Sequence, residues 1–349
     1  MLKRMLAVFG VLLGLMLGFT TPAAKAATLP TCNPVGPTAN CLVFGDFNVY
    51  SLPLLDLQGG GDGVPGPGDP FYFSSTYGQI QNYTIVGINN GNCTNTGNPT
   101  GAADCSYNTP SQSSTNIFST KTAEAGGVAD PGGAGEFAGD TDDTWDITTT
   151  ALTSLIGGAG NPLTAFFAFN ESNQAGTGLE GASLLTWVKV TLTDLDGGNA
   201  PVSFYLCAGP ACQGTEPTTA SLPAANADQA GSLPWAYVHS GICTIGTNFV
   251  GFPDANGDCP AGATLRNQNN LGQNAAAFMV NSPALDAALA TGNYDVMQVL
   301  WKMAHISGGG ETAWIQPSDA PTVIAEPSTL ASFALALVAL GFVMRRRPR

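Results

Sequence analysis

The sequence predicts an all-β fold, a β-sandwich of jelly-roll type decorated with one or two short helices. Three observations predict it. The apolar segments are short and rich in aromatic and β-branched residues, the composition of strands rather than long helices. Turn-forming clusters separate them, in a chain of 349 residues with 44 glycines and 24 prolines. No repeat of fixed period runs through the chain, and many short strands with turns between them argue for a sandwich.

Taken in order, Leu42–Leu57 (LVFGDFNVYSLPLLDL) reads as one or two strands interrupted at Pro53, and GGGDGVPGPGD over 59–69 reads as loop. Phe71–Ser75 and Ile80–Ile88 are strand-like. Residues 89–140 lack sustained periodicity and predict a long irregular surface insertion with a short strand at Asn116–Thr120. Asp146 or Thr148 is placed to cap a short helix running to Ile156, with Gly157 and Gly158 as its stop. Leu163–Phe169 (LTAFFAF) predicts a central buried strand. In Leu184–Asp194, Val188, Val190 and Leu192 alternate with Lys189, Thr191 and Thr193, the period-two pattern of a half-buried strand. The turn DGGNAP then returns the chain into VSFYLC, so 184–207 predicts a hairpin. Strands are expected at Pro234–Gly241 and Gly246–Phe252. Ser282 followed by Pro283 opens a helix that Gly292 stops. Asp295–Ile306 predicts a strand, paired as a hairpin with ETAWIQ beyond the three glycines at 308–310.

Both ends read as targeting segments. Residues 1–26 combine Lys3 and Arg4, an apolar stretch from Met5 to Phe19, and the small-residue site Ala24-Lys25-Ala26, the three parts of a secretory signal peptide. The other end, 323–349, holds 17 uncharged residues from Ser328 to Met344, followed by Arg345, Arg346, Arg347 and Arg349. As a helix this stretch reaches about 26 Å, close to the thickness of a bilayer core. The arginines are expected to stay cytoplasmic. The exported domain is then 27–322.

The sequence Glu326-Pro327-Ser328-Thr329, the apolar helix 328–344 and the Arg345-Arg346-Arg347 cluster together resemble the PEP-CTERM sorting signal. Ala325 stands where the first proline of that motif would be. The resemblance is confined to the tail. It implies a partner, an exosortase (a membrane-embedded cysteine transpeptidase) that cuts the tail, and a destination, the cell surface or the extracellular polymer matrix.

Eight cysteines, Cys32, Cys41, Cys93, Cys105, Cys207, Cys212, Cys243 and Cys259, all lie between these ends. Neighbours in sequence are close throughout, so four local bridges, 32/41, 93/105, 207/212 and 243/259, are expected in an oxidising compartment. Zinc fits poorly: the tightest spacing is C-x4-C, and the chain has two histidines. Residues 27–325 hold four basic residues (Lys121, Lys189, Arg266, Lys302) against 24 acidic ones, a net charge of −20. A body so acidic repels phosphate backbones, which excludes nucleic acid as a partner. Contact with a membrane is expected through the terminal segments alone.

Chemistry-bearing motifs are scarce. There is no G-x-S-x-G, H-E-x-x-H, P-loop or dinucleotide fingerprint. His239 adjoins Ser240 without forming a ready catalytic pair, and His305 sits in an apolar strand. Calcium is the candidate cofactor: Asp254, Asn256 and Asp258 place side-chain oxygens at alternate positions, like the start of an EF-hand loop. The pattern then stops, with Cys259 where glycine is needed and Leu265 where the bidentate glutamate belongs. Asp194 with Asp196, and the run Asp140, Asp142, Asp143 and Asp146, are further acidic sets that β-turn chemistry also explains. Trp145, Trp187, Trp235, Trp301 and Trp314 are candidates for stacking on sugars or, more simply, for the core.

The expected function is therefore a non-catalytic structural or adhesive protein of the cell surface or extracellular matrix. A carbohydrate-binding module with an exposed aromatic row, binding extracellular polysaccharide, is the alternative. A secreted hydrolase with two facing carboxylates stands third.

Overall fold

A computed structural model describes residues 29–36, 38–76, 80, 83–87, 117–118, 138, 141, 144–168, 184–209, 212–214, 216–217, 234–254, 257–269, 271, 275–304 and 311–316. Fourteen strands and three short helices form it. In chain order they are β1 (Leu42–Phe44), β2 (Phe47–Ser51), α1 (Leu52–Gln58), β3 (Thr84–Gly87), β4 (Trp145–Thr148), α2 (Thr149–Leu155), β5 (Thr164–Ala168), β6 (Leu184–Thr193), β7 (Val202–Leu206), β8 (Ala236–Val238), β9 (Gly241–Ile245), β10 (Asn248–Gly251), β11 (Thr264–Asn267), β12 (Phe278–Asn281), α3 (Pro283–Ala290), β13 (Val296–Ala304) and β14 (Thr312–Ile315).

The strands make three antiparallel sheets. The large one runs β1-β2-β12-β5-β14-β3, and the second runs β4-β13-β6-β7 with β8 also on β6. A small one runs β10-β9-β11. The last three strands of the two main sheets each slot between earlier ones: β12 between β2 and β5, β13 between β4 and β6, β14 between β5 and β3. From β3 to β6, and again from β12 to β14, successive strands alternate between the two main sheets, which ties them into one sandwich-like body. Neither main sheet is complete until the end of the body arrives.

Side-chain alternation divides the apolar residues among three layers. Phe47, Phe167, Phe278, Val280, Ala313 and Ile315 of the large sheet meet Val188, Val190, Leu192, Met297, Val299 and Trp301 of the second. These inner faces are the sandwich core. The opposite face of the large sheet buries Tyr50, Phe166, Met279 and Trp314 under Leu52 and Leu55 of α1 and the ring of Phe73. The opposite face of the second sheet buries Leu185, Trp187 and Trp235 beside Cys207 and Cys212. Burial of both faces of the large sheet explains why Leu163–Phe169 reads as a continuous apolar run.

The predicted elements fare unequally. The β6–β7 hairpin, the β5 strand, the β13 strand and α3 stand where the sequence placed them, and Thr148 caps α2 by accepting from the Ala151 amide at 3.2 Å. Three expectations are corrected. Pro53 interrupts no strand: Ser51 caps α1, its Oγ accepting from the Leu54 amide, and Pro53 occupies the first turn, where no amide proton is needed. Phe71–Ser75 forms no strand, only a bridge from Ser74 to Ala275. The segment ETAWIQ does not pair with β13: β14 lies in the large sheet, bonded to β5 and β3. The Asn116–Thr120 strand is not seen at Ile117 and Phe118, and Phe118 is fully buried in the sandwich core. Most of the expected 89–140 insertion, the expected signal peptide and the tail with its expected helix 328–344 lie outside the described residues. Among the described residues no helix is long and apolar enough to cross a membrane.

Candidate functional site

Three of the expected disulfides are formed: Cys32–Cys41, Cys207–Cys212 and Cys243–Cys259, with Cα separations of 5.5, 5.9 and 5.6 Å. Cys93 and Cys105 lie outside the described residues. Each bridge pins a loop to a strand. Cys41 precedes β1, Cys207 follows β7, and Cys243 is the middle residue of β9. A body with three covalently closed loops fits an oxidising, exported environment.

The acidic sets resolve into turns. The Asp258 amide donates to Asp254 Oδ1 at 2.9 Å, the Asp254 amide to the Asp258 carbonyl at 2.9 Å, and the Gly257 amide to the Asp254 carbonyl at 2.8 Å. Asp254 thereby closes its own loop, while Asn256 lies outside the described residues. Asp194 accepts from the amides of Asp196 and Asn199 at 2.9 and 2.7 Å. The buried Asp146 accepts from the Thr141 amide and from Thr144 Oγ1, both at 2.6 Å; Asp140, Asp142 and Asp143 lie outside the described residues. Asp194 and Asp254 thus hold turns and Asp146 ties down the segment before β4, each engaging carboxylate oxygen that a cation would need. Among the described residues no group of three or more His, Cys, Asp or Glu is placed to hold a metal.

The tryptophans are core residues. All five are at most 6% exposed, so none offers a face to a polysaccharide. His305 lies outside the described residues. His239 belongs to a row of rings: its centroid is 4.4 Å from Tyr237, edge-on, and 3.7 Å from Phe252, stacked. Phe252 in turn meets Phe249 at 5.2 Å.

This aromatic row borders a cavity shaped to receive a molecule. Its volume is about 90 Å³, and it lies where the small sheet closes one end of the sandwich. The large sheet contributes Phe44 and Phe278 to its wall, the second sheet Leu206 and Trp301, and the small sheet with its flanks Phe249, Phe252 and Gln268. Among the described residues no aspartate, glutamate, lysine or arginine lines it. Three locations in the chain converge here because the β8–β9 connection bends at Ser240, whose carbonyl accepts from the Gln268 amide at 2.8 Å. That bond locks the end of β11 beside the start of β9. A smaller cavity of about 50 Å³ continues between the sheets and shares Leu206, Val280 and Trp301 with the first.

A model described as a domain of unknown function, DUF8239, matches residues 27–302. The chain belongs to the DUF8239 family. The DUF8239 match opens one residue after the expected signal cleavage and ends within β13, so β14 is a strand that the sandwich recruits from beyond it. No curated protein and no solved structure matches.

Sequence reasoning missed most of the DUF8239 cavity. Gln268 sits in the polar run RNQNN, which has no strand signature; β11 exists because it pairs with β9. Phe249 and Phe252 carried the only available signal, two aromatics near His239, and nothing in the sequence shows that all three meet.

Proposed function

We propose that the mature protein is a non-catalytic structural or adhesive element of the cell surface or extracellular polymer matrix, delivered there by an exosortase that removes the tail. The observation that carries this reading is the covalent closure of an acidic sandwich by local disulfides, Cys32–Cys41, Cys207–Cys212 and Cys243–Cys259. Such closure suits a long life outside the cell, where reducing systems and chaperones are absent. The net charge of −20 over 27–325 keeps copies apart until a specific contact forms. The tail supports the delivery route through Glu326, Pro327, Ser328 and the arginines Arg345, Arg346 and Arg347, which carry the resemblance to the sorting signal. The absence of charged side chains from the main cavity supports a role without hydrolysis. Burial of all five tryptophans weighs against the polysaccharide-binding alternative in its aromatic-platform form.

The test is fractionation of host cells with and without their exosortase. The protein is expected at the surface or in the matrix when the enzyme is present, and in the inner membrane with its tail attached when it is absent. The same surface location in both strains would refute the sorting route.

A further inference from the structure

We propose that the 90 Å³ cavity is a binding site for a small neutral molecule that combines an apolar body, about one ring in size, with a hydroxyl group. This goes beyond the structural role above and does not depend on it.

The polar atoms in the wall define the ligand. Gln268 is 1% exposed, and its Nε2 donates to the His239 carbonyl at 3.3 Å. A carbonyl can only accept, so this contact fixes which end of the amide is which. Oε1 is then left buried, with no hydrogen-bond partner among the described residues. Leaving such an acceptor empty is costly, and a donor from a bound molecule removes the cost. Thr186 also lines the cavity. Its Oγ1 accepts from Trp301 Nε1 at 2.8 Å and still has its own proton to donate. Gln268 thus brings an unsatisfied acceptor and Thr186 an unused hydroxyl proton to a lining that also holds Asn40, Ser51 and His239, and a ligand hydroxyl is the group able to meet either. Everything else in the lining is chiefly hydrocarbon and aromatic, which excludes an ion.

Size sets the remaining limit. A single water occupies about 10–15 Å³ on this scale, so the cavity holds several waters or one small ring. An apolar pocket with a few convergent polar groups is the usual form of a small-molecule site.

The experiment titrates the purified, oxidised full chain with benzyl alcohol and with toluene by calorimetry, following Trp fluorescence in parallel. The native chain is expected to bind both, and its alcohol-to-toluene affinity ratio is expected to exceed that of Gln268→Met by about tenfold, the worth of one buried hydrogen bond. Thr186→Val tests the hydroxyl from its other side and is expected to lower the ratio in the same direction. It decides the matter if Gln268→Met does not fold. Leu206→Phe fills the cavity and is expected to abolish binding of both ligands. Failure of the native chain to bind either compound overturns the proposal and leaves water as the occupant. Equal ratios in the native chain and in every folded variant overturn it as well.

Discussion

Replacing Asp286 with asparagine is expected to stabilise the protein at neutral pH and to flatten its stability against pH. Asp286 lies in the first turn of α3, and its Oδ1 accepts from the Leu163 amide at 2.8 Å, tying that helix to the entry of β5. Burial pushes its carboxyl up to about 6, against the lesser opposing effect of that hydrogen bond. An unfolded aspartate titrates near 3.9, so the ionised form is the one the fold disfavours. The stability associated with the neutral acid is complete below about pH 4 and is lost as pH rises through about 6. A shift of about 2 units corresponds to at most about 3 kcal/mol, and because the side chain is only half-buried, solvent screening reduces this to about 1–2 kcal/mol. Asparagine keeps an oxygen for the Leu163 amide and carries no charge. Thermal melts from pH 4 to pH 8 should therefore show Asp286→Asn melting about 3 °C higher at pH 8 and level with the native chain at pH 4. Some slope will remain, because burial also raises the Asp56 carboxyl. A native chain that outlasts Asp286→Asn increasingly as pH rises would show that the carboxylate is stabilised instead, and would refute the reasoning.

Gly45 has φ +59°, and a Cβ there would lie 2.2 Å from the Tyr205 carbonyl oxygen; Gly45→Ala is expected to cost about 3 kcal/mol in urea denaturation. That turn also joins the two main sheets, since Asp46 Oδ2 accepts from the Tyr205 amide at 2.8 Å, so the loss should appear as global unfolding rather than local fraying. The ion pair of Lys302 with Glu216 is lopsided, with side-chain exposures of 7% and 55%. Glu216→Gln leaves a buried ammonium without its counter-charge and is expected to cost about 1–2 kcal/mol, whereas Lys302→Met is expected to be neutral or stabilising in the same assay. Removing the Cys243–Cys259 bridge by paired alanines releases a loop with a sequence separation of 16 and is expected to cost about 3 kcal/mol by chemical denaturation.

What the sequence revealed was what local pattern encodes. In β6 the alternation of Val188, Val190 and Leu192 with Lys189 and Thr191 follows from one face turning inward, and the adjoining turn fixes β7 as its partner. The disulfides were legible because each joins sequence neighbours. Long-range pairing was not. ETAWIQ follows β13 in the chain, yet its Ala313 and Ile315 complete the inner face of the large sheet, a choice made by burial and not by proximity in sequence. Leu52–Leu57 reads as strand because the segment is apolar but for Asp56; α1 forms because Ser51 and Pro53 set up a helix start and the sheet beneath covers its side chains. β12 is four residues, all buried, too short for any periodicity to show. The cavity was least legible of all, since its wall joins residues from Ala39 to Trp301 that share no motif.

The mature protein is expected to be a passenger that has shed both membrane-seeking ends and keeps its thiols oxidised. Intact-mass analysis of the protein recovered from outside its host cells, alkylated before and after reduction, tests this most directly. The expected product begins at Ala27, lacks the arginine tail, takes up no alkyl group until reduced, and then takes up eight. A product that retains Met1 and Arg349 and is alkylated without reduction would contradict it.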